Sequence, residues 1–157
     1  MFIMIRFGTS KDIEIVNVMR KQVNELHVKG EPKIFKPGFS EALKNYINEF
    51  VDSDNKKLVV YEENDSVLGY AMIEFLTKPE TAYRYELKFL EINELGVMAG
   101  HQHKGIGKKI MDYIIELAKE NKVNRVELDV WTFNDNACKF YNKYGFTSYR
   151  NYLKLEL

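Results

Sequence analysis

The chain has 157 residues, of which 45% are hydrophobic and 29% charged, a balance typical of globular proteins with a substantial core. Lys plus Arg and Asp plus Glu both total 23, and a chain without a basic excess is a poor candidate for general nucleic-acid binding. No apolar run approaches the roughly 18 residues that a membrane helix needs, and the apolar start is too short for a signal peptide. The single cysteine, Cys138, excludes an internal disulfide and a multi-cysteine metal site. We expect one domain over residues 1–157 in a cytoplasmic protein with no metal, nucleic-acid or membrane partner.

Apolar spacing and capping residues predict the elements of the first half of the chain. They are a strand over Phe2–Phe7, a helix from Thr9 or Ser10 to about Val28, a loop over Lys29–Gly38 and a helix opened by Ser40 and Glu41. A hairpin follows, with strands over Lys57–Glu62 and Val67–Leu76 joined by a turn at residues 63–66.

The stretch from Phe89 to Glu120 organises the second half. Phe89–Met98 has the composition of a mostly buried strand, and from Lys104 onward apolar residues recur at helical spacing. The turn between them, Ala99–Gly107, contains three glycines. A glycine-containing turn that leads into a helix presents unpaired N–H groups at the positive end of the helix dipole, which favours an anion, most naturally a phosphate.

Three further elements complete the chain. A strand is predicted over Val123–Trp131, a short helix over Asn134–Tyr144 ended by Gly145, and a last strand over Phe146–Leu155. Hairpins in the first half and a strand–helix–strand crossover in the second predict a mixed α/β sheet.

Three phosphate-loop patterns can be compared with the turn. A Walker A loop ending at Gly107-Lys108 would need glycine at Gln102 and serine or threonine at Lys109, so that pattern fails. A dinucleotide G-x-G-x-x-G starting at Gly105 meets Ile110 at its third glycine and fails as well. The pattern Q-x-x-G-x-G, from Gln102 to Gly107, does fit.

Gln102-x-x-Gly105-x-Gly107 before an amphipathic helix resembles the acetyl-CoA motif of the GNAT acetyltransferase superfamily. A second segment, N-x-x-A-x-x-F-Y-x-x-x-G-F from Asn134 to Phe146, is similar to another motif of that family. The resemblance implies an N-acetyltransferase with a single, largely antiparallel twisted sheet of six to seven strands, flanked by about four helices. It also implies a V-shaped splay between two central strands.

The resemblance further implies acetyl-CoA as cofactor and CoA as product. The pantetheine arm would bond the β-strand backbone around Leu95 and Val97, and Asn134 would bond the same arm or serve as a helix cap. The pyrophosphate would lie on the turn that follows Gln102, with phosphate contacts from the lysines or with those lysines simply solvated. Its N–H donors would come from His103, Lys104, Gly105, Ile106, Gly107 and Lys108.

The implied reaction is attack of an amine on a thioester. An amine with a pKa of about 10.4 lies roughly 4–5 kcal/mol from its neutral form at pH 7, so a base is needed. Tyr141 is the proposed general acid for the leaving thiolate, with a plain core aromatic as the alternative. Glu94, favoured as cleft-lining, and Glu91 are the candidate bases, or either binds the ammonium without taking its proton. The two face opposite sides of a regular strand, and a bulge would change that.

The acceptor is left open among small-molecule amines and a peptide N-terminus. His27, Phe35, Phe39 and Tyr83 are expected near its pocket. The oligomeric state is left open, although dimers are common in the family. A non-catalytic acetyl-CoA-binding sensor is the alternative to an enzyme, although a sensor has no need of Tyr141 and the paired acids.

Overall fold

A computed structural model describes all residues, 1–157. One sheet contains five strands in the spatial order of the sequence, and neighbours are antiparallel except for the last, parallel pair. The strands are β1 (Ile3–Phe7), β2 (Lys56–Glu63), β3 (Ser66–Lys78), β4 (Leu87–Val97) and β5 (Val126–Glu127). The mixed, largely antiparallel sheet predicted from the sequence is therefore confirmed.

Four α-helices and two short 3₁₀ turns flank the sheet. The helices are α1 (Ile13–Gly30), α2 (Glu41–Tyr46), α3 (Ile106–Glu120) and α4 (Asp135–Tyr144), and the 3₁₀ turns are Ser10–Asp12 and Ile47–Phe50. None of these helices combines the length and the apolar character that a membrane crossing requires.

Both faces of the sheet are buried, each under different helices. Val59 and Tyr61 of β2 pack in the cluster that contains the apolar stripe of α3. Leu58 and Val60 belong to the cluster on the other face, with α1 and the Ile47–Phe50 turn. Because successive strand residues point to opposite faces, a strand covered on both sides is apolar throughout.

Local signals set the first two connections. The Thr9 side chain accepts from the helix backbone while the Asp12 carboxylate accepts from the Thr9 N–H, a capping box that starts the first helical turn. Between β2 and β3, Asn64 and Asp65 both have positive φ, 48° and 65°. Two such residues make the turn whose twist matches a two-residue hairpin.

A β-bulge interrupts β4. Met72 of β3 lies opposite Glu94, while Ile73 lies opposite Ile92, so Asn93 is an extra residue with no partner. Leu90 and Ile92 pack on the α3 side before the bulge, and the odd-numbered Leu95 and Val97 pack on that same side after it.

The bulge places Glu91 and Glu94 on one face. Glu91 lies opposite Glu74, and Glu94 lies opposite Met72, two positions further along β3. Met72 belongs to the α1-side cluster. Both carboxylates therefore project toward α1 and α2, although in a regular strand they would have pointed to opposite faces.

The prediction of six to seven strands is wrong in number. The strand expected over Val123–Trp131 is reduced to two residues, and the strand expected over Phe146–Leu155 does not form. Residues 146–157 follow α4 without strand pairing, and the apolar side chains beyond Phe146 are exposed, 83% for Tyr152 and 93% for Leu153. The alternation of aromatic and polar residues satisfies β-propensity, but a strand also needs a paired edge and a face to bury.

Candidate active site

Pairing between β4 and β5, the last two strands of the sheet, ends at the level of the bulge. β4 pairs with β3 along its whole length, but it pairs with β5 only at Leu90 and Glu91. From Ile92 to Val97 the edge of β4 that faces β5 is therefore unpaired. Leu95 and Val97 lie on this stretch and offer backbone groups to an extended ligand arm, which would add to the sheet as a strand does.

The turn after β4 contains left-handed backbone at His103 and Gly105, with φ of 63° and 83°. A Cβ at Gly105 would meet no atom within 4 Å, so the space beside the turn is open. The glycine is required there by its φ, which L-residues adopt at a cost. At Gly107 a Cβ would lie 3.4 Å from the Phe140 ring, an ordinary van der Waals contact, so α4 packs close beside this position.

The N-terminus of α3 is the one helix start with neither a side-chain cap nor an acidic residue in its first turn. Its backbone bonds begin with the Lys109 N–H, which donates to the Gly105 carbonyl at 3.1 Å. The N–H groups of Ile106, Gly107 and Lys108 precede that bond and point out of the helix start. Uncapped donors at the positive end of a helix fit a phosphate group.

Three lysines surround this helix start in different situations. Lys108 Nζ lies 2.8 Å from an oxygen of Asp112, one turn further along α3. Lys109 Nζ lies 5.9 Å from the centre of the Tyr61 ring. Lys104 is exposed in the turn and forms no ion pair, so it is the cation most available to a phosphate.

Asn134 caps α4. Its side-chain oxygen accepts from the Ala137 N–H at 3.2 Å, and its side-chain amide N–H groups remain free. The cap and a contact from the amide nitrogen to a ligand arm are compatible, because they use different atoms.

Tyr141 lies on α4, with its ring 5.3 Å from that of Phe140 and 5.6 Å from that of Phe146. Its hydroxyl makes no hydrogen bond within the protein. Burial, followed by the neighbouring Cys138, raises the pKa of Tyr141 to about 12. The hydroxyl therefore keeps its proton at neutral pH and is available as a donor.

Glu94 is bound from two sides. Its carboxylate accepts from Arg20 Nε at 3.2 Å and from the Tyr70 hydroxyl at 3.0 Å. Arg20 Nη2 also donates to this carboxylate, at 3.3 Å, while Nη1 donates to the Asn17 side chain at 2.9 Å and to the Leu43 carbonyl at 2.7 Å.

Glu91 differs from Glu94 in having no hydrogen bond or ion pair. Burial is the largest factor that raises its pKa, followed by Glu74, Asp129 and Glu127, while Lys78 opposes the shift. A partly buried carboxylate with free lone pairs and a raised pKa is suited to accept a proton.

An aromatic cluster joins α1, the loop after it and the segment after β5. The His27 ring stacks on Phe35 at 5.0 Å, and Phe35 contacts Trp131 edge-on at 5.0 Å. Phe133 packs against both His27 and Trp131. Burial lowers the pKa of His27, and the charges of Glu94 and Asp129 oppose this shift. His27 therefore lies near Glu94 and Asp129.

Of the two remaining residues predicted near the pocket, one lies there and the other does not. Phe39 lies under the guanidinium of Arg20, 5.5 Å from its carbon, whereas Tyr83 is 88% exposed and takes no part. The sequence reasoning assigned no role to Arg20, Tyr70, Trp131 or Phe133. For Arg20 a signal existed, because a charged residue stands in the apolar stripe of α1 together with Ile13, Val16 and Val23.

Residues 20–146 match the model of the Acetyltransferase (GNAT) family. The chain belongs to this family. In the GNAT chain described here the splayed strands, the glycine turn and the uncapped helix accordingly form the candidate active site.

Solved structures repeat the fold. A mutant of the BH1408 protein from Bacillus halodurans has a TM-score of 0.94 at 29% identity, over 98% of this chain and 99% of that one. The aminoglycoside N-acetyltransferase AAC(6')-Iy, in complex with CoA, has a TM-score of 0.77 at 13% identity, over 99% of this chain and 95% of that one. The second likeness is one of fold alone.

Streptothricin acetyltransferase of Streptomyces lavendulae is 26% identical over 95 residues, which are 60% of this chain and 46% of that protein. The chain spans less than half the length of the curated relatives it matches.

Proposed function

We propose that the protein is a cytoplasmic, single-domain N-acetyltransferase that moves the acetyl group of acetyl-CoA to a primary amine by direct transfer in a ternary complex. The observation that carries this proposal is the unpaired edge of β4 from Ile92 to Val97, which leads directly into the uncapped start of α3. An extended arm with a phosphate at its end matches that combination of a strand edge and a helix N-terminus.

The cofactor contacts are assigned to atoms that the fold leaves free. Backbone groups of Leu95 and Val97 hold the pantetheine arm, and the side-chain amide of Asn134 bonds it from α4. Gln102 opens the turn, and the N–H groups from His103 to Lys108 hold the pyrophosphate, with Lys104 as its cation. When bound, acetyl-CoA supplies the thioester whose acetyl group is transferred.

The protein's own groups move the protons. A carboxylate of β4, Glu94 or Glu91, takes a proton from the acceptor amine so that its nitrogen can attack the carbonyl carbon. Tyr141 presents its O–H to the sulfur as the C–S bond breaks. The acceptor reaches these groups from the α1 side, where His27, Phe35 and Trp131 form an apolar wall.

A CoA-release assay against a panel of small-molecule amines and peptides tests the proposal. We expect acetyl-CoA-dependent release of free thiol with at least one amine, and a product that carries one added acetyl group by mass spectrometry. Cofactor binding without turnover on any amine would overturn the enzymatic role and indicate an acetyl-CoA sensor. Absence of cofactor binding would overturn both.

A further inference from the structure

Arg20 is a buried charge at the centre of the candidate acceptor side. It is 3% exposed, and four of its five N–H groups donate to three elements. They reach the Glu94 carboxylate on β4, the Asn17 side chain on α1 and the Leu43 carbonyl on α2. The rings of Phe39 and Tyr46 lie against the guanidinium, 5.5 and 5.8 Å from its carbon. A charge taken out of water in this way requires a partner of opposite sign.

The hydrogen bonds of Glu94 leave little of its carboxylate unoccupied. Oε1 accepts from Arg20 Nε and from the Tyr70 hydroxyl, and Oε2 accepts from Arg20 Nε and Nη2 at 3.4 and 3.3 Å. A carboxylate offers about four lone-pair sites. The Glu94 carboxylate is also the counter-charge of Arg20, which a buried guanidinium needs.

Glu91 lies on the same face of the sheet because of the bulge, and none of its lone pairs is engaged. Its charged surroundings are Glu74 and Lys78 on β3 and Glu127 and Asp129 on β5 and beyond. On α1 the titratable side chain of His27 is influenced by the charges of Glu94 and Asp129. A proton taken by Glu91 relieves repulsion among these carboxylates, whereas the oxygens of Glu94 are already occupied by hydrogen bonds.

We propose that Arg20 is a positioning residue that holds the Glu94 carboxylate fixed as a brace for the bulge of β4, and that Glu91 is the general base. The inference rests on the proposed acetyltransferase function. Arg20 acts through Glu94, which it joins to α1 and α2, so the bulge and the Glu91 side chain keep their place beside the acceptor. In the transfer step Glu91 gains the amine proton as the N–C bond forms, and the sulfur leaves with its electron pair.

The test compares pH profiles of kcat/KM for full-length variants with one amine acceptor. In the wild type, activity falls as the pH drops through the raised pKa of Glu91. Glu91→Gln is expected to lose about 10²–10⁴-fold in kcat together with this acidic limb. Glu94→Gln is expected to keep the limb, at reduced kcat/KM. Glu74→Gln removes a like charge, so its limb is expected to move to lower pH.

Arg20→Lys is the positioning variant. It keeps the charge but loses the fork of donors, and we expect about a tenfold loss in kcat/KM, on the order of one hydrogen bond, with the acidic limb at an unchanged pH. Arg6→Lys is the matched control, since Arg6 makes a similar forked pair with Asp12 away from the site. Its kcat/KM is expected to equal that of the wild type.

A folding defect in Glu94→Gln would leave Arg20 unpaired, so a double variant is included. Arg20→Met with Glu94→Leu removes both charges, an exchange that buried pairs often tolerate. It is expected to retain turnover and the acidic limb. Loss of the limb in this variant or in Glu94→Gln, or its persistence in Glu91→Gln, overturns the inference alone. A wild type that turns over no amine overturns the proposed function, and the inference with it.

Discussion

The pKa of Tyr141 limits the chemical role that this residue can have. Its pKa of about 12 lies above the roughly 8.5 of an ordinary thiol, so complete proton transfer to the leaving sulfur is uphill by about 5 kcal/mol. We therefore expect the hydroxyl to serve mainly as a hydrogen-bond donor to developing charge in the proposed reaction. We expect Tyr141→Phe to lower kcat by about 10²-fold, the low end for acid–base groups, with unchanged acetyl-CoA affinity, measured by CoA release and calorimetry.

Tyr144→Phe is the matched control for Tyr141→Phe. Tyr144 lies on the same helix and also has a pKa raised to about 12, but its hydroxyl donates to Asp112 at 2.7 Å. Its removal is expected to leave kcat unchanged. Equal turnover by Tyr141→Phe and the wild type would contradict the acid role. With so high a pKa, ionisation of Tyr141 causes no loss of activity below about pH 10.

Gly105 provides a second test at the residue scale. Alanine at a φ of 83° costs about 1–2 kcal/mol, and the new Cβ enters the space assigned to the pyrophosphate. We expect Gly105→Ala to weaken acetyl-CoA binding at least tenfold by isothermal titration. Gly38→Ala carries the same kind of strain, at φ 90° with open space around it, and should leave the affinity unchanged. Equal acetyl-CoA affinities in both variants would indicate that the phosphate binds elsewhere.

The candidate cofactor residues could be predicted from the sequence more readily than the candidate acceptor residues. Gln102, Gly105 and Gly107 lie in one short motif, and their spacing is visible in the chain. Arg20, Tyr70 and Glu94 come from three separate elements, and only their packing brings them together. Glu91 points to the same face as Glu94 because Asn93 has no partner in β3, and only the strand pairing shows that.

At the scale of elements, the first helical turn is stabilised by a carboxylate that also forms an ion pair. Arg6 donates to both oxygens of Asp12, at 2.8 and 3.0 Å. These bonds, against the opposing effect of burial, lower the pKa of Asp12. A carboxyl whose folded-state pKa is depressed contributes its stability above the unfolded pKa, and loses it as the pH falls through the folded value.

We therefore expect Asp12→Asn to lower the free energy of unfolding at pH 7 by about 1.5–3 kcal/mol. The difference from the wild type should shrink below about pH 4, as urea unfolding at several pH values will show. Glu116→Gln breaks an exposed pair with Lys119 and should change stability by less than about 0.5 kcal/mol at either pH. A pH-independent effect of Asp12→Asn would indicate that Asp12 stabilises the fold only by accepting from the Thr9 N–H in the capping box.

The helices and strands predicted from the sequence are wrong only where a strand depends on packing against other parts of the chain. Strands β1 to β4 and the four helices follow from alternation, helical spacing and caps, because these signals lie within each segment. The segment Phe146–Leu155 has the alternation of a strand, yet β5 pairs at only two positions and provides little edge beside it. Local propensity cannot report whether such an edge exists.

At the scale of the whole molecule, cofactor binding should stabilise the fold. A ligand at 100 times its dissociation constant adds about 2.7 kcal/mol, which for a chain of this size is about 5–10 °C in Tm. We expect that shift with acetyl-CoA and a smaller one with dephospho-CoA or pantetheine in differential scanning fluorimetry. Equal shifts for CoA and pantetheine would show that the uncapped start of α3 is not used.

The fold class was predictable because both its signals span the chain. Hairpins in the first half and a crossover in the second determine a mixed sheet, and the two family motifs flank the same crossover. The splay between β4 and β5 was implied only by resemblance, since nothing in the residues from Ile92 to Val97 tells that one of their edges stays unpaired.

The unpaired Asn93 has a consequence for comparing GNAT sequences. Two acids three positions apart in a strand normally point to opposite faces of the sheet. Two carboxylates with that spacing on one face therefore indicate a bulge between them. A relative that has lost the extra residue should carry its acids two apart instead. Aligning such a chain without a gap would equate Glu94 with a side chain on the wrong side of the sheet, and the error would extend through every position up to Val97.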